Sequence, residues 1–271
     1  MDFKHKKKLG QNFISDKNLL SAIVNDARVK ETDNILEIGV GKAGLTKELA
    51  LKAKKVIAFE LDKDLKPIID KELSGFSNAQ IQYNDILNVE NKKIRKLFND
   101  EKFKIVANLP YYITSPIIFK FLDDPKNLSE MILMVQKEVG ERFSSKYMDS
   151  NYSASSAKAQ LRSEIKQIRN INKKMFKPSP DVDSVLVKFD IKNKLNNDNY
   201  KEIKDFIDKA FLHRRKTFFN NIKSGFFIDK NKLISIFNKL EIPLNTRPQE
   251  ISPEGFVLLF NLLKNEQWCF Y

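Results

Sequence analysis

The 271-residue sequence predicts an α/β fold, in which a mainly parallel sheet with helices on both faces is followed by a small all-α domain. Three observations predict it. Short apolar runs alternate with amphipathic segments, a glycine-rich turn follows the first run, and the periodicity becomes helical after residue 192. Such alternation is typical of βαβ units, whose parallel strands lie beside one another in one sheet.

The expected strands are short apolar runs, with helical patterns between several of them. Five runs have the length and residue types of buried strands: Ile35–Gly39, Val56–Leu61, Ile81–Tyr83, Lys104–Asn108 and Met131–Gln136. Before the fifth strand we expect a helix capped by Ser115, with Pro116 at its first position. A sixth strand is expected over Asp183–Asp190, because this segment follows the turn-forming residues Lys177–Asp181.

A second domain is expected after the polar segment Ile191–Asn199, with the boundary between residues 191 and 192. Several apolar residues beyond it fall on one face of a helix: Ile203, Phe206, Ile207, Ala210 and Phe211. Two more helices are expected around Lys232–Leu240 and Glu254–Lys264. The last has Ser252 as a predicted N-cap and Pro253 at its first position.

The net charge of +13 favours a polyanionic partner, such as nucleic acid or an acidic membrane surface. A solvated, lysine-rich surface is the alternative, and charge alone does not decide between them. The single cysteine and two distant histidines offer neither a disulfide nor metal-ligand spacing, so no metal is expected. With no bilayer-length apolar run and no secretory signal, we expect a soluble cytoplasmic protein without a membrane partner.

Four strand ends carry residue types that bind nucleotide-like ligands. The first strand ends in the turn Gly39–Gly44 (GVGKAG), whose glycines allow positive φ and a close ligand. Glu60 ends the second strand, where a carboxylate can accept hydrogen bonds from ribose hydroxyls. Asp85 and Asn108 follow the next two strands, although a single aspartate there is often only a helix cap. A dinucleotide and S-adenosylmethionine fit the first two positions equally well.

The loop Asn108–Tyr111 (NLPY) is the most specific element. An adenine amine is a weak nucleophile, because its lone pair is delocalised into the ring. The Asn108 side-chain oxygen and the carbonyl of Leu109 or Pro110 could each accept one N–H and direct that lone pair at a methyl carbon. Tyr111 could stack on the base, a contact worth roughly 1–3 kcal/mol. With an activated methyl donor, positioning suffices and no general base is required.

These residues resemble the ribosomal RNA adenine dimethyltransferases, specifically the small-subunit type, almost end to end. The matching segments are Leu9–Phe13 (LGQNF), the glycine turn, Asn108–Pro116 (NLPYYITSP), Val135–Val139 (VQKEV), Phe176–Pro180 (FKPSP), Val182–Ser184 (VDS) and His213–Thr217 (HRRKT). The resemblance implies a Rossmann-like class I methyltransferase sheet over residues 1–191, which bind S-adenosylmethionine. It implies a small helical RNA-contacting domain over residues 192–271.

The resemblance also implies the substrate and the roles of individual residues. A monomer would add two methyls to N6 of each of two adjacent adenines, in a loop near the 3′ end of small-subunit (16S) ribosomal RNA, during subunit assembly. The implied cofactor contacts are Gln11, Asn12, Ile14, Gly39, Gly41, Glu60, Leu61, Asp85, Ile86 and Asn108. The implied target contacts are Asn108, Leu109, Pro110, Tyr111 and the stacking ring of Phe176.

RNA contacts are expected from Arg214, Arg215 and Lys216. Continuing the helix from Ile203 carries Arg214 onto the apolar stripe and turns Lys216 outward. A solvated basic helix end is the alternative.

The sequence departs from the family pattern at a few positions. Val40 replaces a proline that is usual in the glycine turn, and Ala43 stands where glycine is frequent. Both residues can keep the backbone path, so the expected fold and cofactor are unchanged. Asn151–Gln167 matches less well, with Ser153 where glycine is common, which leaves the pocket shape there open.

Three other functions remain to be separated from this expectation. The sister family that methylates large-subunit ribosomal RNA and confers macrolide resistance shares the fold, cofactor and reaction. The Leu109 form of the loop and the segment Thr114–Pro116 look more like the small-subunit type. A nicotinamide-dependent oxidoreductase would require a second nucleotide-binding half or a catalytic Tyr/Lys or His pair, which we do not find. A non-catalytic RNA-binding protein would not require Asn108, Pro110 and Tyr111.

Overall fold

A computed structural model describes residues 12–192, 195, 197–213, 215–265 and 269–270. They form two compact units. The first runs to Gly140 and resumes over Glu164–Ile191, and the second contains Glu141–Ser163 and the residues from Lys192 onward. The sequence predicts residues 141–163 in the first domain, whereas the structure packs them with the carboxy-terminal helices.

Contacts between residues far apart in sequence explain this difference. The Tyr200 hydroxyl donates to the Lys158 carbonyl at 3.1 Å, and the Arg162 guanidinium lies 3.9 Å from the centre of the Tyr200 ring. Arg162 and Tyr200 are almost completely buried. Because these partners are about forty residues apart, periodicity within either segment cannot reveal their contact.

The elements up to Ile191 are nine strands and seven helices within the described range. The strands are β1 (Phe13–Ile14), β2 (Asn34–Ile38), β3 (Lys55–Phe59), β4 (Ala79–Gln82), β5 (Phe103–Asn108), β6 (Leu128–Gln136), β7 (Ser163–Ile171), β8 (Phe176–Lys177) and β9 (Ser184–Ile191). The helices are α1 (Lys17–Asp26), α2 (Gly44–Ala50), α3 (Lys66–Glu72), α4 (Asn91–Leu97), α5 (Thr114–Asp123), α6 (Lys137–Ser144) and α7 (Ala154–Gln160).

Seven of these strands form one sheet in the order β4-β3-β2-β5-β6-β9-β7. The five strands β4, β3, β2, β5 and β6 are parallel, and β9 runs antiparallel to β6. Every residue of β2 is buried, as expected for a central strand covered on both faces. The α/β prediction and all six predicted strands are confirmed, with ends that differ by a few residues.

The sequence did not predict two features of this unit. Edge strand β7 exposes most of its side chains, so its sequence lacks the alternation that identifies a half-buried strand. The two-residue strands β1 and β8 pair antiparallel, with Phe13 opposite Lys177 and Ile14 opposite Phe176. Such short strands have no periodicity at all, and only their contact defines them.

The second unit is mainly helical. Its remaining elements are α8 (Asn197–Ala210), α9 (Phe218–Gly225), β10 (Phe226–Phe227), α10 (Lys230–Lys239), α11 (Pro253–Asn265) and β11 (Cys269–Phe270). The predicted apolar face of α8 is buried, and Phe206 lies in the middle of an aromatic cluster with Phe218, Phe256 and Phe260. Strands β10 and β11 pair with each other, which adds a short β-ladder to the expected all-α domain.

Helix boundaries test the capping predictions. Ser252 accepts a hydrogen bond from the Gly255 N–H at 3.0 Å, so the predicted start of α11 is confirmed. The prediction that Ser115 caps a helix was wrong. Helix α5 begins at Thr114, directly after a 3-10 turn over Tyr111–Ile113, and its cap position, Ile113, provides no side-chain bond. The tight turn extends the helical path backward, which places Ser115 inside the first turn.

The helix expected to continue past residue 211 ends at Ala210. Arg215 and Lys216 lie in the turn between α8 and α9, and both are exposed. The predicted continuation of this helix was therefore wrong, and Arg214 lies outside the described residues. Within the described ranges, no helix has the length and apolar character required to cross a membrane.

Candidate functional site

A cavity of about 850 Å³ lies at the carboxyl ends of the parallel strands of the first unit. Twelve predicted site residues line it: Asn12, Ile14, Gly39, Gly41, Glu60, Leu61, Asp85, Ile86, Asn108, Leu109, Pro110 and Tyr111. The parallel strands end at the same sheet edge, which is why residues spread over a hundred positions converge here.

The glycine turn after β2 has the backbone that the sequence predicts. Gly39 and Gly41 have φ values of +82° and +58°, in the left-handed region. A Cβ at Gly41 would lie 2.8 Å from the Phe13 ring, so glycine is required there by contact as well as by conformation. Ala43 takes a left-handed φ of 61°, a conformation that costs a non-glycine residue roughly 1 kcal/mol.

Glu60 connects this turn to the end of β3. Its carboxylate accepts hydrogen bonds from the Gly41 N–H at 3.0 Å and the Asp62 N–H at 2.8 Å. Burial raises the pKa of Glu60, whereas these backbone donors oppose the shift and the Asp62 charge adds to it. A carboxylate has about four acceptor sites, so Glu60 keeps the capacity to accept hydrogen bonds from a ligand.

Asp85 has a local structural role. It caps the 3-10 turn Ile86–Asn88 by accepting from the Leu87 N–H at 2.9 Å, and its second oxygen accepts from the Asn88 side chain at 3.1 Å. Asp85 therefore acts as a helix cap, which was the alternative role for an aspartate after a strand. Asp85 also lines the cavity, where its remaining acceptor sites can serve a ligand.

The loop Asn108–Tyr111, called the target loop below, follows β5, and Asn108 is the last residue of the strand. The Asn108 side-chain N–H donates to the Asn12 carbonyl at 3.2 Å, which leaves the side-chain oxygen as the remaining acceptor. The Pro110 carbonyl already accepts from the Ile113 N–H at 3.2 Å and from the Thr114 hydroxyl at 3.3 Å. Of the two carbonyls that the sequence left open, the Leu109 carbonyl is therefore favoured as an acceptor for a ligand amine.

Two neighbouring tyrosines complete the loop. The Tyr111 and Ser184 hydroxyls are hydrogen-bonded at 2.8 Å, which ties the Tyr111 ring to the start of β9. Tyr112 also lines the cavity but is 54% exposed. We did not predict Tyr112 from the sequence. Its place beside a predicted stacking residue was the signal that could have identified it.

Glu37 was also missed, because its position within a buried strand suggested only a strand residue. It is fully buried, lines the cavity, and neither carboxyl oxygen forms a hydrogen bond within the described part of the chain. Burial raises the pKa of Glu37 to about 8; the nearby Thr46 hydroxyl lowers it and the Glu60 charge raises it further. A buried acid without a protein partner is a site for a ligand that is cationic or donates hydrogen bonds.

Glu37 is expected to make the stability of the ligand-free protein depend on pH. Because its folded pKa of about 8 exceeds the ordinary glutamate pKa of 4.5, unfolding releases a proton and stability falls as pH rises between these values. The loss is about 3 kcal/mol at pH 7. Glu37→Gln, which keeps the side-chain size, should therefore raise the melting temperature by several degrees at pH 8 and little at pH 5.

The control for this measurement is Glu31→Gln, which removes an exposed carboxylate of the same unit. Its effect on the melting temperature should be small at both pH values. An equal change for Glu37→Gln at pH 5 and pH 8 would show that Glu37 is ionised in the folded protein.

Among the described residues, Phe176, Arg215 and Lys216 were predicted for the site and do not line the cavity. Phe176 is 2% exposed and packs in the apolar core beside α1 and α2. The stacking role of Phe176 stays a prediction. Gln11 lies outside the described residues. Arg215 and Lys216 belong to the second unit.

Comparison with known proteins complements this geometry. The family profile of ribosomal RNA adenine dimethylase matches residues 2–265. A ribosomal RNA small subunit methyltransferase A of Mycoplasma mobile is 37% identical over 260 residues, covering 96% of this chain and 98% of that protein. The crystal structure of a dimethyladenosine transferase from Plasmodium falciparum has a TM-score of 0.80 at 26% identity, covering 96% of this chain and 100% of that one.

The fold is also similar to that of the 23S rRNA methyltransferase ErmE. The TM-score is 0.72 at 22% identity, and the match covers 93% of this chain and 100% of that one. At this identity the likeness concerns the fold alone, so a similar architecture carries enzymes that act on different ribosomal RNAs.

Proposed function

The chain belongs to the ribosomal RNA adenine dimethylase family, and from that premise we propose that it dimethylates adenine N6 in small-subunit ribosomal RNA. The methyl donor is S-adenosylmethionine. The observation that carries the proposal is the loop Asn108–Tyr111 in the lining of a cavity, with two acceptors, Asn108 Oδ1 and the Leu109 carbonyl, and one ring available for an adenine. The substrate is proposed as two adjacent adenines in a loop near the 3′ end of the 16S RNA.

The cavity residues fit the cofactor. S-adenosylmethionine supplies an activated methyl group on a positively charged sulphur. The glycine turn at Gly39 and Gly41, the Glu60 carboxylate and the Glu37 carboxyl, which forms no hydrogen bond among the described residues, suit a ligand with a cationic amino-acid end and ribose hydroxyls. We assign Glu60 to the ribose, and Asp85 with its neighbour Ile86 to the adenine. Asn12, Ile14 and Leu61 complete the proposed binding surface.

The proposed role of the target loop is to orient an amine. Asn108 Oδ1 and the Leu109 carbonyl would each accept one N–H, which holds the nitrogen lone pair in one direction. Tyr111, fixed by its bond to Ser184, would stack on the base. That contact helps to offset the few kcal/mol required to take a base out of its stack.

RNA affinity is proposed to come from lysines and arginines on both units. Lys17, Lys42 and Lys177 line the cavity, and Lys42 lies over the Phe13 ring at 5.3 Å. In the second unit, Arg215 and Lys216 are exposed in the turn after α8. Phosphate contacts of this kind guide binding by shape and charge, which accounts for a net charge of +13.

We propose that the protein acts as a monomer on the assembling small subunit in the cytoplasm.

Large-subunit RNA is the alternative substrate, because ErmE shares the fold. The 37% identity to a small subunit methyltransferase over nearly the whole chain does not favour it. The decisive assay incubates small subunits from cells lacking this gene, and separately large-subunit RNA, with labelled S-adenosylmethionine, and then maps the modified nucleotides.

We expect up to four methyl groups per small subunit, all on two neighbouring adenines, and little label on large-subunit RNA. Wild-type subunits, already methylated, are the control and should accept almost none. Label confined to large-subunit RNA would overturn the proposed substrate.

A further inference from the structure

The two tyrosines of the target loop have different surroundings. Tyr111 is half-buried, and its hydroxyl is bonded to the fully buried Ser184 at the start of β9. Tyr112 is 54% exposed, and its hydroxyl forms no hydrogen bond within the described residues. Partial burial, followed by the charges of Asp85 and Glu60, raises the pKa of Tyr112. The Asp183 charge acts on Tyr111 instead. Tyr111 is thus held at β9 by its hydroxyl, whereas the Tyr112 hydroxyl has no such bond among the described residues.

Tyr112 lines the same cavity as Glu60 and Asp85, which follow β3 and β4. Leu61, directly after Glu60, lines the same cavity and is 50% exposed. The ligand-free protein thus leaves two apolar side chains partly uncovered beside two carboxylates. An aromatic face in a concave site with a few directed polar groups is typical of ligand-binding pockets.

We propose that Tyr112 is a cofactor-binding residue whose ring packs against the adenosine part of S-adenosylmethionine. The inference rests on the proposed function, because it uses the assignment of Glu60 to the ribose and Asp85 to the adenine. Tyr111 then serves the target base and Tyr112 the cofactor, so the short 3-10 turn Tyr111–Ile113 separates the two binding surfaces.

The position of Tyr112 makes it suited to this role and easy to test. It lies in a turn before α5 and is more than half exposed, so its replacement removes little buried surface. Stacking of an aromatic ring on a base is lost on alanine substitution with an effect of about 5- to 150-fold, which corresponds to roughly 1–3 kcal/mol. Because Tyr112 is already partly buried, we expect about tenfold.

The experiment measures dissociation constants by calorimetry for S-adenosylmethionine, S-adenosylhomocysteine and 5′-methylthioadenosine, which lacks the amino-acid end. Tyr112→Ala and Tyr112→Leu should weaken all three ligands by about the same factor of ten, because all three contain the adenosine. Tyr112→Phe keeps the ring and should recover most of the affinity. Tyr147→Ala, which removes another exposed tyrosine, is the matched control and should bind as the unmodified protein does.

Unchanged affinity of Tyr112→Ala for the three ligands would overturn the proposal. A rise only in the KM for RNA, at saturating cofactor, would overturn it too, since the ring would then serve the substrate. Weakened binding of S-adenosylmethionine with normal binding of 5′-methylthioadenosine would place the ring at the wrong end of the cofactor. Failure of the unmodified protein to bind S-adenosylmethionine would instead refute the proposed function itself.

Discussion

Asn108→Ala is expected to lower the single-turnover rate of methyl transfer by about 100- to 1000-fold, with RNA affinity unchanged. Loss of one well-placed hydrogen-bonding group that aligns or stabilises a reacting atom typically has this effect. Asn108 is suited to such alignment because its amide N–H is held by the Asn12 carbonyl at 3.2 Å, which directs the oxygen away from that contact. The measurement is rapid mixing of enzyme, labelled S-adenosylmethionine and undermethylated small subunits.

Asn108→Asp provides a sharper version of the same test. An aspartate keeps an acceptor oxygen, but it cannot donate to the Asn12 carbonyl, and its charge would be repelled there. We therefore expect it to be slow as well, although it retains the atom that accepts the amine. Asn170→Ala, at an exposed position of β7, is the control and should react at the normal rate. A normal single-turnover rate in Asn108→Ala would exclude the proposed alignment.

Glu60→Ala is expected to weaken S-adenosylmethionine binding by about 10- to 150-fold. Hydrogen bonds to a charged group are worth roughly 1.5–3 kcal/mol, and a single pair of this strength accounts for the change. Glu60 also accepts from the Gly41 and Asp62 N–H groups, so the alanine variant additionally releases the glycine turn. Glu60→Gln keeps one acceptor oxygen and should lose less. Calorimetry measures both, with a thermal melt to confirm that each variant is folded.

An S-adenosylhomocysteine analogue without the 2′- and 3′-hydroxyls separates the two effects of Glu60. The unmodified protein should bind this analogue weakly, and Glu60→Gln should weaken it little further, because the bonds to the ribose are already missing. If Glu60→Gln weakened the binding of the analogue and of S-adenosylhomocysteine by the same factor, Glu60 would act only by holding the glycine turn.

Local patterns in the sequence determine much of this fold. Glycines in a strand-to-helix turn, apolar runs at strand length and the Ser252–Pro253 start signal each depend on residues a few positions apart. For that reason the six predicted strands and the start of α11 agree with the structure. The convergence of Glu60, Asp85 and Asn108 on one cavity also followed, because carboxyl ends of parallel strands share one edge of the sheet.

Local patterns do not predict where a helix departs from ideal geometry. The predicted Ser115 cap and the predicted extension of α8 both required ideal helical geometry up to the ends of the pattern. The 3-10 turn before α5 and the end of α8 at Ala210 depart from it. Edge strand β7 was missed for a related reason, since exposed side chains on both faces leave no pattern to detect.

What the sequence by itself determined is the class of fold, the family and the set of residues that lie at the strand ends. Only the tertiary structure decided how each of them is used. It buries Phe176, leaves the Glu37 carboxyl without a hydrogen bond among the described residues, and bonds the Tyr111 hydroxyl to Ser184 of β9. The physical reason is that burial and hydrogen-bond partners depend on residues distant in sequence, whereas periodicity reports only on near neighbours.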